Sequence, residues 1–516
     1  MSEGSREIFR ISVKTGVKIS RMNGFLAYGT DEGDVMNSID VALSAVLVLI
    51  DLAVCIIIGI RTKGSAANAD DYFIGGKKTG VVLLFLTAWA SFSGSGNFIG
   101  QAGRGAMEGI SAYWLWLGEG FLGGIIMGYL LAPYLARFQY LSMPHFVSGY
   151  LFGGDRYIRR VGGIAALMPN VVWPGAQIMG VSYVLEQVFG IDYRAACIIC
   201  GAVFIFYTVN GGLTAVIYAD AIHGTVQMVF AAMVIWFGLQ SFHLDFGFLR
   251  EGIMAVDPSK WDLFVESPFA IATSFLTGLV GAISNPIFWN RAFAAKDAQS
   301  AKKAYGITFF MNIILVFLMI SIGIASLLYV DAGDRALVWM ILNKMPGICG
   351  IILAESVLAA CMSCADTHLN CAAANVVSDI LDPEGKLPGN VSVRYAKIAT
   401  FVAGVVALAA SLTGDFIYAL GTYGYTVCGG VLIPMFVVGL LYRDRKSESF
   451  RSRLSVSAGR VGVTCGLVTA LAFELIPPLK AIFGGGVIPA IAVTAACTVI
   501  PNFFFHDQTW KAEKMA

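Results

Sequence analysis

Apolar residues run together along most of this chain for about 20 positions at a time, separated by short breaks rich in charge, Gly or Pro. Runs of that length match α-helices crossing a hydrocarbon layer of ~30 Å. Thirteen such spans are predicted, starting near residues 39, 80, 110, 162, 192, 214, 268, 304, 347, 395, 415, 457 and 483. The connections alternate in basic charge. The Arg156/Arg159/Arg160, Lys302/Lys303 and Arg443/Arg445/Lys446 loops share one side, which the positive-inside bias makes cytoplasmic. The N-terminus is then expected outside and the C-terminus inside a multi-pass chain of the plasma membrane. Residues before Met36 are polar and mixed in charge, without the apolar run of a signal peptide. They read as a tail, or as an extension upstream of a natural start at Met36.

Composition sharpens this picture. Hydrophobic residues make up 57% of the 516 positions and charged ones 13%, with a mean hydropathy of +0.73, which excludes a soluble globular chain. The fold class is therefore an all-α integral membrane protein with the lipid bilayer as its surroundings. A net charge of +1 without a basic patch argues against nucleic acid as a partner. Ten cysteines lie mostly within apolar runs and read as small buried hydrophobes. His145, His223, His243 and His506 read as loop or interface residues.

An odd number of helices in a repeat inverts the next repeat across the membrane. Behind a tail (1–38) and a peripheral helix (39–61), two five-helix units of opposite orientation are expected over 80–243 and 268–442. Peripheral helices and a short tail follow over 443–516. Each unit opens on a span rich in small or helix-breaking residues, "TAWASFSGSGNFIGQAGRG" (87–105) and "TGLVGAISNPIFWNRAFAAK" (277–296). An interrupted membrane helix frees carbonyls that only protein, water or an ion can satisfy, so paired interruptions mark a binding site.

The ninth span carries "LAACMSCADTHLNC" (358–371). At about 100° per residue, Ser363, Asp366, Thr367 and Asn370 gather on one face, and Cys361, Cys364, His368 and Cys371 on nearly the opposite one. One unbroken helix cannot wrap a zinc ion with cysteines about 15 Å apart along its axis, and nothing local activates a nucleophilic thiol. A carboxylate at membrane depth instead faces protein, a partner or an ion, and hydroxyl and carboxylate oxygens suit a hard cation. Asp220 and Arg291 fall at a similar depth, where a buried charge pair locking helices together is the plainer alternative.

"YTVNGGLTAVIYADAIHGTVQ" (207–227), "NRAFAAKDAQSAKKA" (290–304) and "AACMSCADTHLN" (359–370) occur in an order and spacing that resemble the sodium/solute symporter family, over at least residues 70–445. The resemblance implies a LeuT-like, five-plus-five inverted-repeat fold with broken first helices. It also implies a sodium site at the carbonyls of Ala90, Ser93 and Ala360 and the hydroxyl of Ser363. Cys364 stands where the family usually offers a second hydroxyl, and sulfur is a poor sodium ligand. A second cation or proton site is implied at Asp220, Ser363, Asp366 and Thr367, with Arg291 as charge partner. The substrate pocket would be formed by Phe92, Asn97, Trp173, Gln177, Gly278, Gly281, Ser284 and Asn285. Small residues at 278, 281 and 282 disfavour a sugar, whereas Trp173 and the shape of "GAISNPIFWNR" resemble the choline-transporting branch.

The expected function is a secondary-active symporter, not an enzyme, importing a small organic solute with Na+ as coupling ion and no organic cofactor. Two alternatives stand beside it. One is H+ coupling through Asp220 and Asp366, since two carboxylates at one cavity favour a shared proton. The other is a sensor on a transporter fold, which would want a signalling domain beyond the short tail that ends at Ala516.

Overall fold

The computed structural model describes residues 18–22, 25–29, 37–61, 79–413, 417–442 and 452–505. The Arg443/Arg445/Lys446 loop, His506 and most of the N-terminal tail lie outside the described residues. Within the tail, β1 (Lys18–Met22) pairs antiparallel with β2 (Phe25–Gly29), Lys18 opposite Gly29 and Met22 opposite Phe25. The Asn23-Gly24 dipeptide between them is the sequence pattern of a two-residue hairpin, a signal that apolar runs do not carry.

The other described elements are helices. First comes α1 (Ser38–Arg61), whose 24 residues reach ~36 Å, enough to cross a bilayer. The first interrupted span is α2 (Val81–Phe92), a break at Ser93 and Gly94, a wide turn over Gly96–Gly100 and α3 (Gln101–Glu108). After a return segment to Leu135 come α4 (Arg156–Phe189) and α5 (Tyr193–Gln240). The second interrupted span is α6 (Pro268–Ser284), Asn285 and α7 (Pro286–Ala294). It is followed by α8 (Ala298–Ser326), α9 (Gly347–Ala374), α10 (Gly389–Ser411) and α11 (Ile417–Leu441). The chain closes with α12 (Val456–Leu475), α13 (Pro477–Phe483) and α14 (Val487–Val499).

Both interruptions have local causes. Asn285 leaves helical geometry at ψ 117° and its side chain accepts the Ile287 N–H at 3.2 Å. Pro286 then starts α7, where its missing N–H costs nothing. In the first interruption Ser93 turns to ψ 49°. A Cβ at Gly94 would come 2.4 Å from Gln177 Oε1 and 2.9 Å from Cys364 Cβ, so only glycine lets this break lie against α4 and α9.

Among the described residues, ten helices are long and apolar enough to cross a membrane, or eleven if a bent pair is counted as one span. The thirteen expected spans exceed that number because α2 and Tyr193–Val209 are short and the final pair, Pro477–Phe483 with Val487–Phe503, is bent by 88°. The two spans expected from 192 and 214 fall in one helical run, α5. Thr208 bonds Asp366 and Asp220 bonds Ser363, so both parts of this run meet α9 within one of its turns.

The hub is α9, buried continuously from Ser356 to Ala374 and packed against α4, α5 and α1. The two faces seen on its helical wheel are therefore both internal. On the far side, α3 approaches α8 backbone to backbone: a Cβ at Gly323 would stand 1.8 Å from the Ala102 carbonyl oxygen. Small residues allow such contact between membrane helices. Gly323→Ala is expected to cost ~1 to 3 kcal/mol through overpacking. Gly347→Ala, whose Cβ meets nothing within 4 Å, is expected to be near neutral. Thermal unfolding of the two purified variants checks this, and equal midpoints would contradict it.

Candidate functional site

Where the two interruptions meet α9, buried polar side chains join into one network. Asp220 of α5 is fully buried and Arg291 of α7 nearly so. Arg291 Nη2 lies 2.9 Å from Asp220 Oδ2, 2.8 Å from Thr367 Oγ1 and 2.5 Å from Ser91 Oγ, while its Nε donates to Thr87 Oγ1 at 3.1 Å. Thr87 in turn donates to Asp220 Oδ2 at 2.5 Å, and Ser363 donates to Asp220 Oδ1. Four helices thus place one carboxylate, one guanidinium and four hydroxyls in contact. The guanidinium supplies the positive charge that neutralises Asp220.

Of the four residues expected at a second cation or proton site, Asp220, Ser363 and Thr367 belong to this network and Asp366 does not. Asp366 is directed at the first half of α5, where Thr208 donates to it. It shares a helix face with Ser363, but a different part of α5 lies opposite it: Asp220 stands at Ser363 and Thr208 at Asp366. Among the described residues it has no ion-pair partner, although it is buried.

The expected sodium ligands lie beside this cluster. The Ser93–Gly94 break packs on α9 at Cys364, next to Ser363 and one turn from Ala360. The Ala90 carbonyl accepts from Gln227 Nε2 at 3.3 Å. Ser93 Oγ is buried with no partner among the described residues, an oxygen at the break that a hard cation suits.

The pocket residues divide. Phe92, Asn97, Trp173, Gln177 and Asn285 line one cavity, together with Cys364, His368 and Tyr425. Its volume of about 10 Å³ holds roughly a single water. Its amides are engaged within the protein: Gln177 Oε1 accepts from the Ser95 N–H at 2.8 Å, and Asn97 donates to Asn312 at 2.9 Å. Gly278, Gly281 and Ser284 do not line it. Gly278 packs on the Leu115 carbonyl and Gly281 behind the Tyr425 ring, and Ser284 faces Gly429.

Several polar groups were not singled out from the sequence. Glu119 accepts from Tyr418 and, at 3.2 Å, from Tyr425, closing one end of the cavity. At the other end His368 Nδ1 meets Asn170 at 2.9 Å, which leads through Asn375 to Asp379 and its ion pair with Arg159 at 3.0 Å. That chain reaches a cavity of about 710 Å³ lined by Arg156, Arg159 and Glu384. A cavity of about 310 Å³ lies at the Glu108 end. The only sequence signal for Glu119 is a lone carboxylate in an apolar stretch, and Asp379 stands at the end of one, three residues before Asp382. His223, read as a loop or interface residue, is instead buried within α5 at 1% exposure, because the outer face of α5 is covered by α1.

Two interrupted helices around a closed polar cavity, with an open cavity toward each end, define a secondary transporter. Residues 72–449 match the sodium:solute symporter family, and the chain belongs to it. It is a membrane transporter and not an enzyme. It is 24% identical over 442 residues to the osmoregulated proline transporter OpuE of Bacillus subtilis, covering 82% of this chain and 89% of that one. It is 23% identical to the human sodium/iodide cotransporter, covering 88% and 72%. A solved Na+-coupled sialic acid symporter in a substrate-bound outward-open state superposes with a TM-score of 0.69 at 17% identity, covering 90% of this chain and 98% of that one. This likeness supports the expected LeuT-like fold.

Removing one member of a buried ion pair strands the other, at a cost of ~3 to 5 kcal/mol. Asp220→Asn and Arg291→Gln are each expected to lower the yield of monodisperse protein sharply. The double variant is expected to recover most of it, and size-exclusion profiles of the three would reveal the opposite.

Proposed function

We propose that this protein couples inward sodium movement to the uptake of a small organic solute by alternating access. The observation that carries this reading is the Ser93–Gly94 break packed against α9 at Ser363 and Cys364, directly beside the closed cavity. An unwound backbone and a serine hydroxyl offer oxygens to a hard ion at the point where a solute would rest. The basic Arg156 side is cytoplasmic in this reading, the N-terminus outside and the C-terminus inside. No Asp, Glu, Lys or Arg side chain is among the described residues that line the cavity, and its walls include Phe92, Trp173 and Tyr425. A neutral, zwitterionic or quaternary ammonium solute fits such walls, the last through cation–π contact.

Asp366 favours one second reading, proton coupling. It is a buried carboxylate outside the Arg291 network, bonded by Thr208, and intramembrane carboxylates of this kind commonly relay protons.

The test is thermal stabilisation of the purified transporter by NaCl against choline chloride and KCl, followed by a solute panel with and without sodium. Sodium is expected to raise the unfolding midpoint and to increase the shift given by the solute. Ser363→Ala is expected to weaken the sodium effect about tenfold or more, and Ser356→Ala much less. Sodium-independent uptake driven by an imposed pH gradient, and lost in Asp366→Asn, would favour the proton reading instead. If Asp220 serves coupling as well as packing, the Asp220→Asn/Arg291→Gln double variant recovers expression without cation-coupled uptake.

A further inference from the structure

Away from the cavity, α1 docks on the bundle through apolar side chains such as Val48 and Leu52 and through a stripe of more deeply buried polar ones. Among its described side chains only Ser44, Asp51 and Cys55 are buried. They stand seven and four residues apart, so they lie on one stripe of the helix. Ile39, Leu49 and Ile50 are more than half exposed. The side chains it buries fully are thus a hydroxyl, a carboxylate and a thiol, while its described apolar side chains are half-buried or exposed.

Opposite this stripe stands His223 of α5, 1% exposed. Its Nε2 lies 3.1 Å from Asp51 Oδ1 and 3.4 Å from Cys55 Sγ. The three donor atoms all lie within 4.8 Å of one another. Hydrogen bonding serves this group poorly. Nε2 carries either one proton or one lone pair, yet two partners converge on it, while Asp51 Oδ2 and His223 Nδ1 are buried without a partner among the described residues. A buried polar group left unpaired is costly.

We propose that Asp51, Cys55 and His223 are the protein ligands of a divalent transition-metal site, with Zn2+ the best-matched ion. A mixed sulfur, nitrogen and oxygen set selects a borderline cation and disfavours Na+, Mg2+ and Ca2+, which take oxygen. Tetrahedral bonds of ~2.0 to 2.3 Å set neighbouring donors ~3.3 to 3.7 Å apart, close to the spacing around His223 Nε2. Thiolate and carboxylate together cancel the charge of a dication, so the filled site is neutral where net charge is expensive. On binding, the Cys55 proton leaves to solvent. Three protein ligands leave the fourth position of a tetrahedron open. The ligands come from α1 and α5 alone, so the ion would clamp the peripheral helix to α5 one turn from Asp220. The proposal does not depend on what the transporter carries.

The full-length protein in detergent, stripped with a chelator and titrated with Co2+, is expected to bind one ion per chain. A thiolate-to-cobalt charge-transfer band is expected with it, and Zn2+ is expected to displace the Co2+. Cys55→Ser, which keeps a small hydrogen-bonding side chain, is expected to abolish the band and weaken Zn2+ binding by roughly tenfold or more. His223→Gln is expected to weaken it similarly, and Cys497→Ser to leave both unchanged. Size-exclusion profiles and thermal unfolding report separately whether each variant folds. No cobalt band in the parent protein, or a band that survives in well-folded Cys55→Ser, would overturn the site.

Discussion

The contact on which the rest of this structure depends is the buried pair of Asp220 and Arg291. Each charge would be prohibitive alone at this depth. Together, with hydroxyls from Thr87, Ser91, Ser363 and Thr367 meeting the remaining donors and acceptors, they hold α2, α5, α7 and α9 in one register. Because Ser91 itself lines the cavity and Ser363 adjoins Cys364 in its wall, the pair also fixes where the first interruption sits. The cavity and the candidate sodium oxygens inherit their geometry from this contact.

The interruptions and the hub were legible in the sequence, because their causes are local. Gly, Ser and Pro clustered in an apolar run mark a break whatever surrounds it, and the breaks fall at Ser93–Gly94 and Asn285–Pro286. A run from 347 that mixes hydroxyls, thiols and a carboxylate marked a buried helix. The two-faced wheel drawn for that helix was less informative, since α9 is enclosed on both faces and Cys364 and His368 line the cavity as Phe92 and Asn97 do.

What could not be read depends on which helix neighbours which. The bearing of Asp366 toward Thr208 depends on which part of α5 lies opposite it. His223 became an interior residue only because α1 covers it, and α1 itself reads as a plain apolar span until its three inward residues are seen together. Glu119 and Asp379 are single carboxylates whose partners lie 299 and 220 positions away in the chain, at Tyr418 and Arg159. No pattern within a window of twenty residues encodes such pairs.

The two ends of the cavity are closed by chemically different means, and this bears on how each can open. At the Glu119 end a carboxylate is held by two tyrosine hydroxyls, neutral donors that water can replace, so separation leaves no unpaired cation. At the other end separation breaks the Arg159–Asp379 ion pair, with Asp379 fully buried. That break would cost several kcal/mol in a dry interior. It need not stay dry, because Arg159 already borders the 710 Å³ cavity, and water entering there solvates both charges as they part. If alternating access as proposed parts these contacts, opening at this end is tied to hydration of the adjoining cavity, whereas opening at the Glu119 end requires only an exchange of hydrogen-bond partners.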